Sequence, residues 1–107
     1  MWRFEIYGHA GGDLRWRLMA GDGQAVATSG DAYDSESNAK RSAERFKTMA
    51  PAWLYEVYAG KVGDYHWRAK AGNGHTMAAS QDSFDTTSDA ERAAENVKFN
   101  AARAAGP

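Results

Sequence analysis

Trp2-Arg3-Phe4-Glu5-Ile6-Tyr7 and Trp53-Leu54-Tyr55-Glu56-Val57-Tyr58 are one pattern written twice, 51 residues apart. The same shift carries Gly12-Asp13-Leu14-Arg15-Trp16-Arg17 onto Gly63-Asp64-Tyr65-His66-Trp67-Arg68, and Gly21-Asp22-Gly23 onto Gly72-Asn73-Gly74. It continues without a gap through Ser29/Ser80, Asp31/Asp82, Asp34/Asp85, Ser37/Ser88 and Arg41/Arg92 to Lys47/Lys98. Roughly 20 of about 50 aligned positions are identical, and self-similarity at a fixed period decides the architecture before any local pattern does.

Within the quoted stretch, Trp2, Phe4 and Ile6 alternate with Arg3, Glu5 and Tyr7, the period of a half-buried strand. Its copy alternates Trp53, Tyr55 and Val57 with Leu54, Glu56 and Tyr58. A second strand is predicted at 14–20, with Leu14, Trp16 and Leu18 inward and Arg15, Arg17 and Met19 outward. Its copy at 65–71 sets Tyr65, Trp67 and Ala69 against His66, Arg68 and Lys70. The Gly-rich segments 8–13 and 59–64 read as hairpin loops. Asp22-Gly23 and Asn73-Gly74 favour type I′ turns into third strands at 24–29 and 75–80, whose facing is ambiguous because Ala and Thr crowd both registers.

A helix follows each third strand. Ser35 or Ser37 caps the first, and Thr86 with Asp89 offers a box-like cap to the second. Ala39, Ala43, Phe46 and Ala50 form an apolar stripe, repeated by Ala90, Ala94, Val97 and Ala101. Pro51 disfavours helical geometry at Ala50, so the first helix ends near Met49 and leaves 50–52 as the linker. The second is expected to run on through Ala104 to Gly106-Pro107. Each copy of about 50 residues is near the lower limit for an independent core. With no Cys there are no disulfides or thiolate metal sites to reinforce it. The expected fold is therefore α+β: a single domain, 1–107, of two β-β-β-α repeats (1–51 and 52–107). One antiparallel sheet carries two helices, packed with the pseudo-twofold symmetry of a C2 dimer.

Phe4-Glu5-Ile6-Tyr7, Gly12-Asp13-Leu14-Arg15-Trp16-Arg17-Leu18, Gly21-Asp22-Gly23-Gln24 and Ser29-Gly30-Asp31-Ala32-Tyr33, followed by a Ser/Ala/Lys-rich helix, resemble the YegP-like family of small proteins of unknown function. The resemblance covers nearly the whole chain in both copies. It implies a three-strand-plus-helix unit, paired as homodimers or in tandem, often with a short exchanged strand after the helix. It supplies no catalytic residue and no cofactor. Three positions depart from the family pattern: Met19 where Lys is common, and Arg41 and Arg92 where Gly is common. The tail 101–107 lacks strand alternation, so no exchanged strand is expected there.

Composition is that of an ordinary globular protein, 43% hydrophobic and 25% charged, with a formal net charge of −1. So small a charge gives little long-range attraction for nucleic acid or acidic membranes. No apolar run approaches the ~20 residues of a membrane span, and no secretory pattern opens the chain, so a cytoplasmic location is expected. Asp13/Asp64 and Asp34/Asp85 have turn and cap roles. Asp31 and Asp82 are the carboxylate pair that symmetry suggests for an enzyme alternative, and no nucleophile, metal ligand or oxyanion loop accompanies them. His9, His66 and His75 occupy non-equivalent positions without metal-site spacing. Gly21-Asp22-Gly23 lies between strands and is a turn, not a phosphate loop. Trp2, Trp16, Trp53 and Trp67 belong to the shared core.

The outward strand face is the candidate site: Tyr7, Arg15, Arg17, Tyr58, Arg68 and Lys70, with Glu5, Glu56, His66 and Met19. Cross-strand pairing of Glu5 with Arg17 and Glu56 with Arg68 explains it structurally. A platform of rings and cations for single-stranded nucleic acid explains it functionally, and the near-neutral charge argues against that alternative. On the helices, Arg41-Glu44-Lys47 and Arg92-Glu95-Lys98 are expected to form ion-pair rows that could also dock a partner protein. The expectation is a small non-catalytic binding or interaction module, with no cofactor and no metal. It is monomeric because the tandem supplies its own partner.

Overall fold

The computed structural model describes residues 1–8 and 12–106; His9 and part of the first hairpin loop lie outside the described residues. Six strands form one antiparallel sheet. They are β1 (Arg3–Gly8), β2 (Leu14–Met19), β3 (Ala25–Ser29), β4 (Leu54–Ala59), β5 (Tyr65–Lys70) and β6 (Thr76–Ser80), in the order β1-β2-β3-β6-β5-β4. The helices α1 (Glu36–Met49) and α2 (Thr87–Asn100) cover one face. Each copy is thus a meander plus a helix. The copies join through β3 and β6, paired Ala27↔Ser80, Thr28↔Ala79 and Ser29↔Ala78. Those pairs exchange under the 51-residue shift, so a pseudo-twofold axis passes between Thr28 and Ala79.

Small side chains make the seam close. Ala27 and Ala78 are fully buried under the helices, and Ser29 is nearly so. Gly30 donates its N–H to Met77 O at 3.1 Å, and a Cβ at residue 30 would collide with Thr76 O. One core cluster spans both copies, with Phe4, Trp16, Leu18, Phe46, Trp53, Trp67 and Val97 among its members. Phe46 is its hub, with rings of Trp16 at 5.1 Å, Trp53 at 6.0 Å and Phe4 at 6.5 Å. Trp2 is only half-buried at the margin of this cluster, a correction to its expected place in the core. The tandem YegP-like architecture otherwise appears as expected.

The copies differ in how they satisfy the buried indole of the second strand. Trp16 Nε1 donates to Ser42 Oγ at 2.9 Å, and Tyr33 OH donates to the same oxygen at 2.6 Å. The equivalents of Tyr33 and Ser42 are Phe84 and Ala93, and Trp67 Nε1 is buried without a partner.

Three local expectations change, and two open ones are settled. Both hairpin turns place only Gly23 (φ 88°) and Gly74 (φ 84°) in the left-handed region, and no non-glycine residue joins them. They are not type I′. Gly23 N donates to Ala20 O and Ala20 N to Gln24 O, a three-residue loop ending in a glycine bulge. The register slips after Leu18 and after Ala69, so Val26 and Met77 lack register partners and pack against the core. That bulge resolves the ambiguous facing of the third strands. Met19 lies opposite Arg3 on the outward face, as expected, and is buried outside the core cluster.

At the helix starts the caps fall among the expected residues, and at the end of the second helix the chain departs from expectation. Ser35, not Ser37, caps α1 by accepting from Asn38 N at 3.2 Å, and Thr86 caps α2 by accepting from Asp89 N at 3.0 Å. The α2 helix stops at Asn100, tightens into one 3-10 turn (Ala101–Arg103), and Ala104 is already extended. The next residue forms a parallel bridge to β1, Ala105 to Arg3. A short strand after the second helix therefore exists although its sequence shows no alternation. It is held by main-chain bonds from Phe4 N to Ala105 O at 2.9 Å and from Ala105 N to Trp2 O at 2.8 Å, which need no particular side chain.

Candidate binding face

The face of the sheet opposite the helices carries a continuous cross-strand row: Glu5, Arg17, Thr28, Ala79, Arg68 and Glu56. Directly opposed residues of neighbouring strands share a face, so register alone assembles this row. It reads charged, small, charged, with the pseudo-twofold axis at its centre. Three strand spacings separate the backbones at Arg17 and Arg68, roughly 14 Å.

The two ends repeat the same geometry. Arg17 Nε donates to Glu5 Oε1 at 3.0 Å, and its guanidinium lies 4.8 Å from the centre of the Tyr7 ring. Arg68 Nε donates to Glu56 Oε1 at 2.5 Å, and its guanidinium lies 4.4 Å from the Tyr58 ring centre. Around these triads the copies diverge. Arg3 makes a second bond to Glu5 at 2.8 Å, whereas Lys70 meets Glu56 at 3.0 Å. Arg15 reaches the Ser29 carbonyl at 3.3 Å. At its equivalent, His66 stacks on Tyr58 at 5.5 Å and approaches Asp64 at 3.2 Å. Tyr7 OH hydrogen-bonds Thr28 Oγ1 at 3.1 Å. All six candidate residues are half-buried.

Electrostatics follow from these contacts. Arg17 first, then Arg3, hold the Glu5 carboxyl below the usual carboxylate range, and Arg68 with Lys70 does the same for Glu56. Each candidate arginine or lysine of the two triads already faces a carboxylate. A phosphate ligand would have to compete with Glu5 and Glu56 for them.

The acidic pair expected by symmetry does not converge on shared chemistry. Asp31 Oδ2 meets His75 Nε2 at 2.6 Å across the seam, while Asp82 lines a separate small groove with Gln24 and Phe84. Asp34 Oδ1 accepts from Asn38 Nδ2 at 2.9 Å, a local side-chain contact, while Ser35 makes the cap. Among the described residues, no group of His, Asp and Glu side chains is arranged to hold a metal. The helix ion-pair rows also fail to form as expected. Glu36 pairs with Lys40 and Asp89 with Arg92, while Lys47 turns to the Gly106 carbonyl and Lys98 lies over Tyr55. Thr28 and Ala79, the centre of the face, were not singled out from sequence; only knowledge that β3 pairs with β6 places them there.

The family model described as a domain of unknown function, DUF1508, matches residues 10–53 and 61–105. The chain belongs to the DUF1508 family. The two matched windows begin one repeat apart, and each takes in the second and third strands and the helix of one copy. Over 99 residues the chain is 32% identical to the "UPF0339 protein in ptx operon 5'region" of Stutzerimonas stutzeri, covering 92% of this chain and 87% of that one. It is 40% identical over 52 residues to a UPF0339 protein of Agrobacterium fabrum, covering 49% of this chain and 82% of the relative. That second match has about the length of one 51-residue repeat. Two solution NMR structures share the fold. The protein of unknown function yegP from E. coli has TM-score 0.77 and 24% identity, and a UPF0339 protein from Shewanella oneidensis has TM-score 0.78 and 23%. Each comparison covers 94% of this chain and 85% of the other. The YegP-like resemblance is thereby confirmed. No helix among the described residues is long and apolar enough to cross a membrane.

Proposed function

We propose that this protein is a non-catalytic interaction module, monomeric through its own duplication, that uses the helix-free sheet face to bind a partner protein. The observation that carries this reading is the mirrored pair of Tyr–Arg–Glu triads, half-buried and separated by the small Thr28/Ala79 saddle. Tyr and Arg are the residue types enriched where interfaces concentrate their binding energy. Their prior hydrogen bonds and ring contacts hold the side chains in place, which lowers the entropy lost on binding. The internal Glu partners and the net charge of −1 disfavour a phosphate backbone as the ligand.

The test compares affinity capture by wild type with a variant carrying Tyr7→Ser, Arg17→Ser, Tyr58→Ser and Arg68→Ser, after circular dichroism shows both folded. Capture of a defined protein by wild type and its loss in the variant supports the reading; equal capture by both removes the face from it. Salt-sensitive binding of a short single-stranded oligonucleotide, lost in the same variant, would replace the protein partner with nucleic acid.

A further inference from the structure

The two outer edges of the sheet are built alike and finished differently. Along β1, residues 104–106 lie as a parallel strap. Phe4 N and Trp2 O take up Ala105, and Lys47 Nζ donates to Gly106 O at 3.1 Å. The strap fits because its side chains are small; Ala104 is 2% exposed. At the other edge, β4 pairs with β5 in the register that β1 uses with β2, Leu54↔Lys70 in place of Arg3↔Met19. The equivalents of Phe4 N, Trp2 O and Lys47 are Tyr55 N, Trp53 O and Lys98. No described residue bridges to that edge. The reason lies in connectivity: the chain leaving α1 becomes β4 itself, so the first copy has no segment left to lie outside it.

What remains is an open groove of about 470 Å3, lined by residues that include Trp53, Leu54, Tyr55, Val57, Glu95 and Lys98. Leu54 stands 66% exposed on the rim, and Lys98 Nζ lies 5.9 Å over the Tyr55 ring. Among the described residues it has no carbonyl to meet. Where the first copy presents Lys40 and Glu44 on the helix wall, this groove presents Glu91 and Glu95.

We infer that the β4 edge is a docking site for an extended peptide of small residues bearing a basic side chain. The peptide runs parallel to β4, exchanging main-chain bonds with Tyr55 N and Trp53 O and offering a carbonyl to Lys98. Strand addition of this kind draws its affinity from the main chain and its selectivity from the neighbouring pockets. The chain's own strap shows the geometry in place at the equivalent edge. Small residues follow from the depth of Ala104, and the basic residue from Glu91 and Glu95. A second copy is the poorer occupant, because its residues 104–106 must first leave its own β1. This site is distinct from the helix-free face and stands whether or not that face binds.

The experiment is an amide-resolved NMR titration of the full chain with acetyl-Ala-Ala-Gly-Ala-Lys-amide. Saturable shifts of the Tyr55 and Val57 amides are expected. Affinity should fall about fivefold, the value of one main-chain hydrogen bond, when the alanine that bridges Leu54 is N-methylated. It should also fall when the peptide lysine is replaced by Glu, and in the folded Lys98→Met variant. Absence of shifts at millimolar peptide overturns the inference. So do shifts confined to Phe4 and Lys47, which would mean that the peptide displaces the strap. Tyr55 shifts that appear on concentrating the protein without peptide overturn it in favour of a second copy.

Discussion

At the scale of single residues, the two indoles of the core are a matched experiment. Trp16 Nε1 has Ser42 Oγ as acceptor, and Trp67 Nε1, equally buried, has none. A buried donor without a partner costs about 1–3 kcal/mol, and making the bond recovers about 1 kcal/mol. Ala93→Ser is therefore expected to raise the unfolding free energy by about 1 kcal/mol, and Ser42→Ala to lower it by about 1–3 kcal/mol. Urea denaturation of both variants decides it, and a destabilised Ala93→Ser protein would show that the orphan donor is not the cost. The substitutions behind this asymmetry, Tyr33/Phe84 and Ser42/Ala93, stand in plain view when the copies are aligned. Their meaning does not, because nothing in a linear pattern says that the Trp16 ring reaches across to α1.

At the scale of elements, paired strands carry the charge chemistry. Glu5 and Glu56 are held below their ordinary value of 4.5 by the cations opposite them. In the unfolded chain the same carboxyls take up protons at the ordinary value, so on acidification the unfolded state binds more protons and stability falls. The contribution is complete above 4.5 and is lost as pH drops through that value to the depressed folded values. The Glu5→Gln, Glu56→Gln variant is expected to show a shallower loss of stability across that acid window, measured by urea unfolding at successive pH values. An unchanged slope would place the acid sensitivity elsewhere. These pairings were legible, since period-2 alternation across a short hairpin sets both face and partner. The bulge after Leu18 and the strap at Ala105 were not. One is a backbone irregularity hidden among interchangeable small residues, and the other is a contact made by main chain alone.

For the whole molecule, the duplication announced a shared core, and the cluster joining Phe46 to Trp53 is that core. The choice of β3 and β6 as the joining strands was not visible, because Ala25 to Thr28 fits either facing. Residues 1–51 alone would expose β3 as a raw edge and leave Phe46 without Trp53. They are expected to be unfolded or self-associated through β3, as read by circular dichroism and sedimentation. A folded, monodisperse monomer of that half would sink the reading of the copies as one cooperative body.

The bond between Trp2 and Ala105 has a topological consequence. It brings residues near opposite ends of the described backbone side by side, and because the strap runs parallel to β1 the trace is almost a loop, with a gap beside β1 that a short linker would close. A loop has no first half. Sealing that gap and cutting instead between Ala50 and Ala52 would reverse the order in which the ribosome delivers the copies and leave their spatial neighbours the same.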